Sequence, residues 1–218
     1  MTKDPITVTY AEFRNAVRWV FPHAAHSTST IDVLEHIHLY TAGDYLIVEA
    51  SDRYTLARYR IELTSPPGTE PIDVCVNAKD VYTMCKSMPV KPVDPTTLSI
   101  TTDTDQTTLF AIGDLALMSA DHVETSYPNL DQFVANINDK ATSANPTASL
   151  RVAAQHLARL KPAVMPKAPS ARNATYYLTF IGEGKPIIVS VPDEPNLYIV
   201  TVSLIPEEPR PTSWTGQC

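Results

Sequence analysis

Glycine and cysteine are both scarce in this chain of 218 residues, which has only 6 Gly and 3 Cys. An odd number of thiols without a CxxC spacing argues against a disulfide framework and against a cysteine zinc site, and favours free thiols. The sequence also lacks a Gly-rich phosphate loop and a nucleophile elbow, so no pattern supports catalysis. We therefore expect a protein that is not an enzyme and that uses no cofactor.

Long apolar runs are absent too, because none approaches the roughly 20 residues that cross a bilayer. The first ten residues lack the basic start and apolar centre of a secretory signal. We therefore expect a cytoplasmic protein with no membrane partner. Its 19 prolines, by contrast, are numerous and cluster between segments, where they mark boundaries.

Three segments of the chain share one order of predicted elements, β-α-β-β-β. The first begins with the alternating strand ITVTY, and Phe13, Val17 and Val20 follow at helical spacing. One sheet layer covered by one helix layer suits such a unit, although no single unit can bury its sheet alone. We predict an α+β fold with helices on one face of antiparallel sheets. The segments, here called units 1, 2 and 3, span residues 6–64, 71–125 and 148–205.

The domain organisation follows from these units and from the polar sequence between the last two. Units 1 and 2 are predicted to form one complete domain over residues 1–134. Residues 126–147 are Asn-rich and show no clear period, which indicates a connector. Residues 148–205 then form half a domain, and residues 206–218 are predicted to be a disordered tail.

The formal net charge of −7 argues at first against a nucleic-acid partner. The predicted helices and their exits are nevertheless basic, with seven Lys or Arg against two acids. If the helices share one side of a sheet, that side could follow a phosphate backbone without reading bases. The plainer alternative is that these are solvated helix residues. The candidate DNA-facing residues are Arg14, Arg18, Lys79, Lys86, Arg159, Lys161 and Lys167.

Two pairs of histidines have spacings that a metal site could use. His23 and His26 are three residues apart, and His36 and His38 share one face of a predicted strand. No acidic third ligand stands at a suitable distance, so we interpret them as surface histidines and expect no metal.

Residues 43–63, GDYLIVEASDRYTLARYRIEL, resemble the bacterial DNA polymerase III β subunit, the sliding clamp. In that family a strand runs into an Ala-Thr-Asp-x-x-Arg-Leu-Ala turn. Further along, VNAKDVYTM looks like the start of the family's second helix, SYPNLDQF like its interdomain connector, and PDEPNLYIVTVSLIP like its last strand. The resemblance covers residues 6–205 at low identity. With three units where the family has six, the chain resembles a reduced clamp of about one and a half domains.

The resemblance implies a DNA-clamp fold and a homo-oligomeric ring around duplex DNA, bound without sequence preference. Family clamps hold DNA polymerase and other clamp-binding proteins in a hydrophobic peptide pocket. A ring of twelve units would need four chains, and three units per chain favour a tetramer of dihedral symmetry. The final strand has Thr201-Val202-Ser203 where the family has Met-Pro-Met, a departure within the pocket. The implied pocket residues are Arg53, Tyr54, Thr55, Leu56, Val200, Thr201, Val202 and Leu204.

A different class of function is also open, namely a protein-only module that engages replication proteins without touching DNA. It would be a clamp mimic or inhibitor, and a phage origin is compatible with either reading. The charge of the helices discriminates between them, because reversing it should abolish DNA association only in a clamp.

Overall fold

The computed structural model describes ten stretches of the chain. They are residues 4–25, 32–65, 71–88, 96–103, 106–123, 127–143, 154–163, 165, 175–181 and 185–201.

Units 1 and 2 have the predicted order of elements. Unit 1 consists of β1 (Ile6–Thr9), α1 (Tyr10–Val20), β2 (His36–Ala42), β3 (Tyr45–Ser51) and β4 (Thr55–Glu62). Unit 2 consists of β5 (Asp73–Asn77), α2 (Ala78–Ser87), β6 (Thr97–Thr102), β7 (Thr107–Ile112) and β8 (Leu115–Val123). Short 3₁₀ turns over Phe21–His23 and Asp32–Glu35 lie between α1 and β2.

Unit 3 repeats the order from its helix onward. Its predicted first strand, at residues 149–152, lies outside the described residues. A further helix, α3 (Leu130–Ser143), occupies most of the predicted connector, where no helix was predicted. The described elements of unit 3 are α4 (Ala154–Ala158), β9 (Tyr177–Phe180), β10 (Ile187–Ser190) and β11 (Leu197–Thr201).

Local chemistry explains where several elements begin and end. Helix α2 begins after Asn77, whose side-chain oxygen accepts hydrogen bonds from the backbone N–H groups of Lys79 at 3.0 Å and Asp80 at 3.3 Å. These bonds satisfy two of the four free donors at the helix start. Between β2 and β3, Gly43 has a φ of 58°, a left-handed conformation that suits glycine in a tight hairpin turn.

The eleven described strands form one sheet in the order β1-β6-β7-β8-β5-β2-β3-β4-β11-β10-β9. Units 1 and 2 exchange their first strands, because β1 pairs with β6 of unit 2 and β5 pairs with β2 of unit 1. A bridge from Val8 to Leu63 also links β1 back to the end of unit 1. Units 1 and 2 are therefore interlocked, whereas unit 3 joins them by antiparallel pairing of β11 with β4.

The main core lies between the sheet and helices α1 and α2, where Phe13 and Val17 meet Val81 and Met84. Alternation along β4 separates two cores, since Ala57 belongs to this one and Leu56 faces the other side. There Ile137 of α3 packs on Leu56, Ile188 and Val200, so α3 covers the opposite face of the sheet. The predicted α+β fold of antiparallel strands and helices is confirmed, and α3 is a further helix on the opposite face. Among the described residues, no helix is long and apolar enough to cross a membrane.

Candidate functional site

The turn from β3 into β4 is organised by Asp52. Its Oδ1 accepts hydrogen bonds from the N–H of Tyr54 at 3.0 Å, the N–H of Thr55 at 2.7 Å and the Thr55 hydroxyl at 2.9 Å. The Ser51 hydroxyl donates to the Thr55 carbonyl at 2.9 Å. Arg53, between them, has a φ of 79°, a conformation that is uncommon outside glycine. The Ser-Asp-x-x-Thr sequence thus builds a rigid turn that projects the side chains of residues 53 and 54.

The same turn contacts unit 3. The second carboxylate oxygen of Asp52 pairs with the Arg159 guanidinium at 2.5 Å, and Asp52 is buried. The Tyr54 ring stacks on the His156 ring with centroids 5.2 Å apart. His156 lies on α4 and Arg159 directly follows it, so these two contacts attach the turn of unit 1 to unit 3.

The turn borders a groove of about 330 Å³ with a mainly apolar lining. Its walls come from four separate parts of the chain: the 3₁₀ turn before β2, the turn from β3 into β4, the start of the connector, and strand β11. Such a concave apolar site with a few polar groups at its edge suits a ligand with apolar side chains. The lining residues are Leu34, Ser51, Arg53, Tyr54, Thr55, Leu56, Pro128, Asn129, Leu130, Phe133 and Val200.

The connector wall of the groove is fixed to the sheet at two points. The Tyr127 ring stacks on His38 with centroids 4.8 Å apart, and Asp131 Oδ1 accepts from Arg58 Nη1 at 2.6 Å. Arg58 also donates through Nε to Glu49 Oε2 at 2.7 Å, and Glu49 is buried. A stacked ring and a charged hydrogen bond thus hold the residues on either side of Pro128 against strands β2 and β4.

His38 lies at the centre of this attachment. Its Nδ1 is 2.9 Å from Glu49 Oε1, and its Nε2 is 2.7 Å from Asp73 Oδ1. Burial alone would lower the pKa of His38, but the hydrogen bonds and negative charges of Glu49 and Asp73 outweigh it and raise that pKa above its usual 6.5. The charged imidazolium is therefore the favoured partner of the two carboxylates.

A second set of contacts docks unit 3 on α1. Glu194, just before β11, accepts from the Asn15 side-chain amide at 2.9 Å and from the Tyr59 hydroxyl at 2.9 Å. Near the end of α1, Arg18 donates through Nε to the Ala163 carbonyl at 3.2 Å, and the Ala163 N–H donates to the Arg18 carbonyl at 2.8 Å. Polar contacts thus accompany strand pairing at the junction that forms the groove.

Residues 5–131 match the family model described as the N-terminal domain of the DNA polymerase III β subunit, and this match spans more than half of the chain. The chain belongs to the DNA polymerase III β subunit family. The predicted resemblance to the sliding clamp is therefore confirmed.

Solved bacterial clamps have a similar fold, at identities that support a statement about fold alone. The Bacillus subtilis DNA polymerase sliding clamp matches with a TM-score of 0.67 and 12% identity, over 93% of this chain and 64% of that one. The Thermotoga maritima β subunit matches with a TM-score of 0.67 and 10% identity, over 95% and 66%. A Helicobacter pylori β clamp bound to a DNA ligase peptide matches with a TM-score of 0.60 and 10% identity, over 97% and 71%.

The chain thus spans about two thirds of the length of these clamps, 64% for the Bacillus subtilis protein. No curated protein matches it by sequence.

Five of the eight residues predicted for the clamp's peptide pocket line the groove: Arg53, Tyr54, Thr55, Leu56 and Val200. Thr201 does not line it but is buried within the sheet, and Val202 and Leu204 lie outside the described residues. The prediction missed the wall formed by Pro128, Leu130 and Phe133. The one sequence signal for this wall was the Tyr-Pro-Asn motif of the connector, which was interpreted as a linker rather than as part of a site.

The predicted DNA-facing residues divide into four groups. Arg14 and Arg18 are buried, and Arg14 donates through Nε to the Cys85 carbonyl at 2.9 Å between α1 and α2. Their expected exposure on a helix surface is therefore wrong, because the second unit and the third cover α1. Arg159 is paired with Asp52. Lys79, Lys86 and Lys161 are exposed, and Lys167 lies outside the described residues.

The histidines also differ from the surface residues that were expected. His23 is fully buried, and burial lowers its pKa to about 3, so that it stays uncharged at neutral pH. His36 contacts the Asp32 carbonyl, and both ring nitrogens of His38 face carboxylates. In the described stretches, no group of three metal-binding side chains is placed so that it could hold a metal ion. His26 lies outside them.

Two of the three cysteines are in the described residues; both are free, as predicted, and both are buried. Burial raises the pKa of Cys75 and of Cys85 to about 12. Such thiols are protonated at neutral pH and are poor nucleophiles.

Proposed function

We propose that this protein is a reduced sliding clamp that tethers DNA polymerase or other replication proteins by binding a short apolar peptide in the groove. The observation that carries the proposal is the groove itself, which brings the Asp52 turn, the connector and the last strand together. All three lie in segments whose sequence resembles the clamp family. The function requires binding only, and no reaction is assigned to the protein.

The form of the groove supports a peptide ligand. Leu56 and Val200 are buried and supply an apolar floor, while Tyr54 and Phe133 remain partly exposed at the rim. Aromatic side chains at a rim can close over an apolar anchor with little loss of conformational entropy. The Helicobacter pylori clamp that holds a DNA ligase peptide is similar in fold, which supports the same kind of ligand here.

The DNA part of the proposal rests on the exposed lysines. Lys79 and Lys86 lie on α2, and Lys161 follows α4. Sequence-independent contacts with duplex DNA need only cations that reach phosphates, and their affinity falls as salt rises. In this proposal the chain acts as a homo-oligomer, a ring of four chains being favoured, in the cytoplasm.

One observation favours a second candidate, a clamp mimic that captures replication proteins without binding DNA. Arg14 and Arg18 are buried and Arg159 is paired, so three of the seven predicted cations are engaged within the protein. The two candidates share the groove and differ in whether duplex DNA is bound.

The groove is tested by fluorescence titration with a labelled peptide that carries the clamp-binding motif of a DNA ligase. We expect Phe133→Asp to weaken binding about 10-fold or more, because a charge at the rim must be desolvated. Leu109→Asp is the matched control, since Leu109 is 37% exposed and Phe133 39%, but Leu109 lies on β7 outside the groove. Absence of peptide binding by the parent protein would refute the groove proposal.

The DNA candidate is tested by measuring duplex binding as a function of salt. We expect the triple variant Lys79→Glu, Lys86→Glu, Lys161→Glu to abolish binding and to leave peptide affinity unchanged. If the parent protein binds the peptide but does not bind duplex DNA at low salt, the clamp-mimic candidate is supported and the DNA candidate is refuted.

A further inference from the structure

Arg53 is the one charged side chain among the described residues that line the groove. It is exposed, and no acid shares the lining with it. The two acids next to lining residues in the sequence are paired with other arginines, Asp52 with Arg159 and Asp131 with Arg58. The groove therefore has a positive charge at its edge, although the chain as a whole has a formal net charge of −7.

The backbone at Arg53 has a conformation that glycine adopts more easily. Its φ of 79° lies in the left-handed region, where a Cβ atom costs conformational energy. Two hairpin turns of the same chain use glycine at positive φ, Gly43 at 58° and Gly113 at 57°. Arginine thus stands where glycine would be less strained, which indicates that the side chain itself is used.

Hydrogen bonds on both sides hold Arg53 in this conformation. The Arg53 N–H donates to Ser51 Oγ at 3.3 Å, and the Tyr54 N–H donates to Asp52 Oδ1 at 3.0 Å. Because the backbone is fixed before a ligand arrives, binding through this residue loses little backbone entropy. The Ala-Thr-Asp-x-x-Arg-Leu-Ala turn of the family has its arginine at the position of Thr55, two residues later, and Thr55 here is buried. The arginine of this turn is therefore specific to this chain in its position.

Arg53 and Asn129 give the edge of the groove hydrogen-bond donors. The hydroxyls of Ser51 and Thr55, which also line the groove, both donate within the turn. Asn129 uses its Oδ1 to accept two backbone N–H groups at the start of α3, at 3.2 and 3.3 Å, so it offers a ligand its NH2 group. A carboxylate has acceptors only, and its two oxygens match the parallel N–H groups of a guanidinium.

We propose that the groove selects peptides that carry a carboxylate beside apolar residues, and that Arg53 determines this preference. The apolar side chains of the peptide lie on the floor formed by Leu56 and Val200, and the carboxylate pairs with the guanidinium. An Asp or Glu side chain and a C-terminal carboxylate present the same pair of acceptor oxygens, so either can supply the group.

This inference rests on the peptide binding proposed above and specifies the chemical class of the peptide. It is tested by fluorescence titration with three forms of the labelled DNA ligase peptide. The first has Asp on both sides of its apolar residues and an amidated C-terminus. The second has Asn in place of each Asp, and the third combines Asn with a free C-terminal carboxylate.

We expect the parent protein to bind at least one carboxylate form about 5- to 10-fold more tightly than the amidated Asn form, because an arginine at a groove edge is only partly screened by water. Comparison of the Asp form with the free C-terminal form shows which source of the carboxylate the groove takes. The preference should shrink as salt rises, since the pair is close to solvent.

Arg53→Gly separates recognition from structure, because glycine accommodates a φ of 79° without strain. The variant should keep the circular dichroism spectrum of the parent and its affinity for the amidated Asn form, and should lose the preference for a carboxylate. Arg53→Lys, which keeps the charge without the planar fork, should retain part of the preference.

Arg53→Gln and Arg60→Gln form a matched pair. Arg60 is also exposed and lies on β4 of the same hairpin, but it does not line the groove. Only the change at Arg53 should remove the preference. Equal binding of the three peptides by the parent, or an Arg53→Gly variant that keeps the parent's preference, would overturn this inference and leave the groove proposal standing. A parent that binds none of the three forms would overturn both.

Discussion

Units 1 and 2, which make up the predicted first domain, and unit 3 are built from the same repeat but bury it to different extents. In the first domain, strand exchange gives both β2 and β6 a neighbour on each side, and residues such as Ile37 and Leu98 are fully buried. In unit 3, β10 and β11 are buried against unit 1, whereas β9 is exposed along its whole length. Burial in unit 3 thus declines from the strand that joins unit 1 to the strand at the edge.

The difference indicates that how far a unit is buried depends on the neighbours that cover it. Unit 3 is attached through β11, through Glu194 and through Arg159, which all contact unit 1. Helix α3 also packs apolar side chains against β4, β10 and β11. The groove lies at this junction, so the elements that stabilise unit 3 also build the candidate site.

The largest effect is expected in the first domain. Phe13 is fully buried against Phe110, with ring centroids 5.8 Å apart, so Phe13→Ala should lower the free energy of unfolding by about 4 kcal/mol. Val189→Ala in β10 of unit 3 should cost about 2 kcal/mol, because fewer buried groups are removed. Urea unfolding measures both. Because Val189 and Phe13 belong to the same buried cluster, an equal or larger cost at Val189 would show that β10 contributes to this core at least as much as α1 does.

A smaller effect is expected at the junction between the two regions. Asp52→Ala removes three hydrogen bonds within the turn and leaves Arg159 without its carboxylate, so we expect a loss of about 3 kcal/mol. The groove should lose peptide affinity in parallel, because Tyr54 and Thr55 depend on the turn. Asp121→Ala, at an exposed position of β8, is the control and should change neither. Unchanged peptide binding by Asp52→Ala would separate the turn from the groove.

The smallest effect is a pH dependence at the connector. The pKa of His38 is raised in the folded protein, so its stabilising charge is fully present below about 6.5 and is lost as pH rises through the folded pKa. We expect His38→Gln to cost about 0.5–1 kcal/mol below pH 6.5, and less as pH rises above the folded pKa. Thermal unfolding across this range measures it, with His36→Gln as the control. A cost that is independent of pH would assign the contribution of His38 to packing alone.

Much of the fold could be predicted because the strands and helices of the repeat show their own hydrophobic periods over short stretches of sequence. The alternation of ITVTY and the helical spacing of Phe13 and Val17 set the elements of unit 1, and the boundaries agree with the structure to within a few residues. Helix α3 was missed because the stretch was interpreted from its polar, Asn-rich composition, although Phe133, Val134 and Ile137 follow Leu130 at the i+3, i+4 and i+7 spacing of an amphipathic helix. Its position against β4 and β11 is a tertiary contact that no local period reveals.

Five of the eleven residues that line the groove were predicted from the sequence. The Asp52 turn and Val200 carry recognisable sequence, but Phe133 enters the groove through the packing of α3. The prediction that α1 presents basic residues to DNA failed for a related reason. Helical spacing indicates which residues share a face, but it does not show that a neighbouring unit covers that face and buries Arg14 and Arg18.

By itself, the sequence determined the repeat, the family and the chemistry of the Asp52 turn, because each depends on residues that are close in the chain. The tertiary structure alone decided which strands are exchanged, which cations are buried and where the groove lies. Those features depend on pairs far apart in sequence, such as Ile6 with Ile100 and Leu56 with Val200. A pattern of 2.0 or 3.6 residues specifies a face, and only packing specifies what covers it.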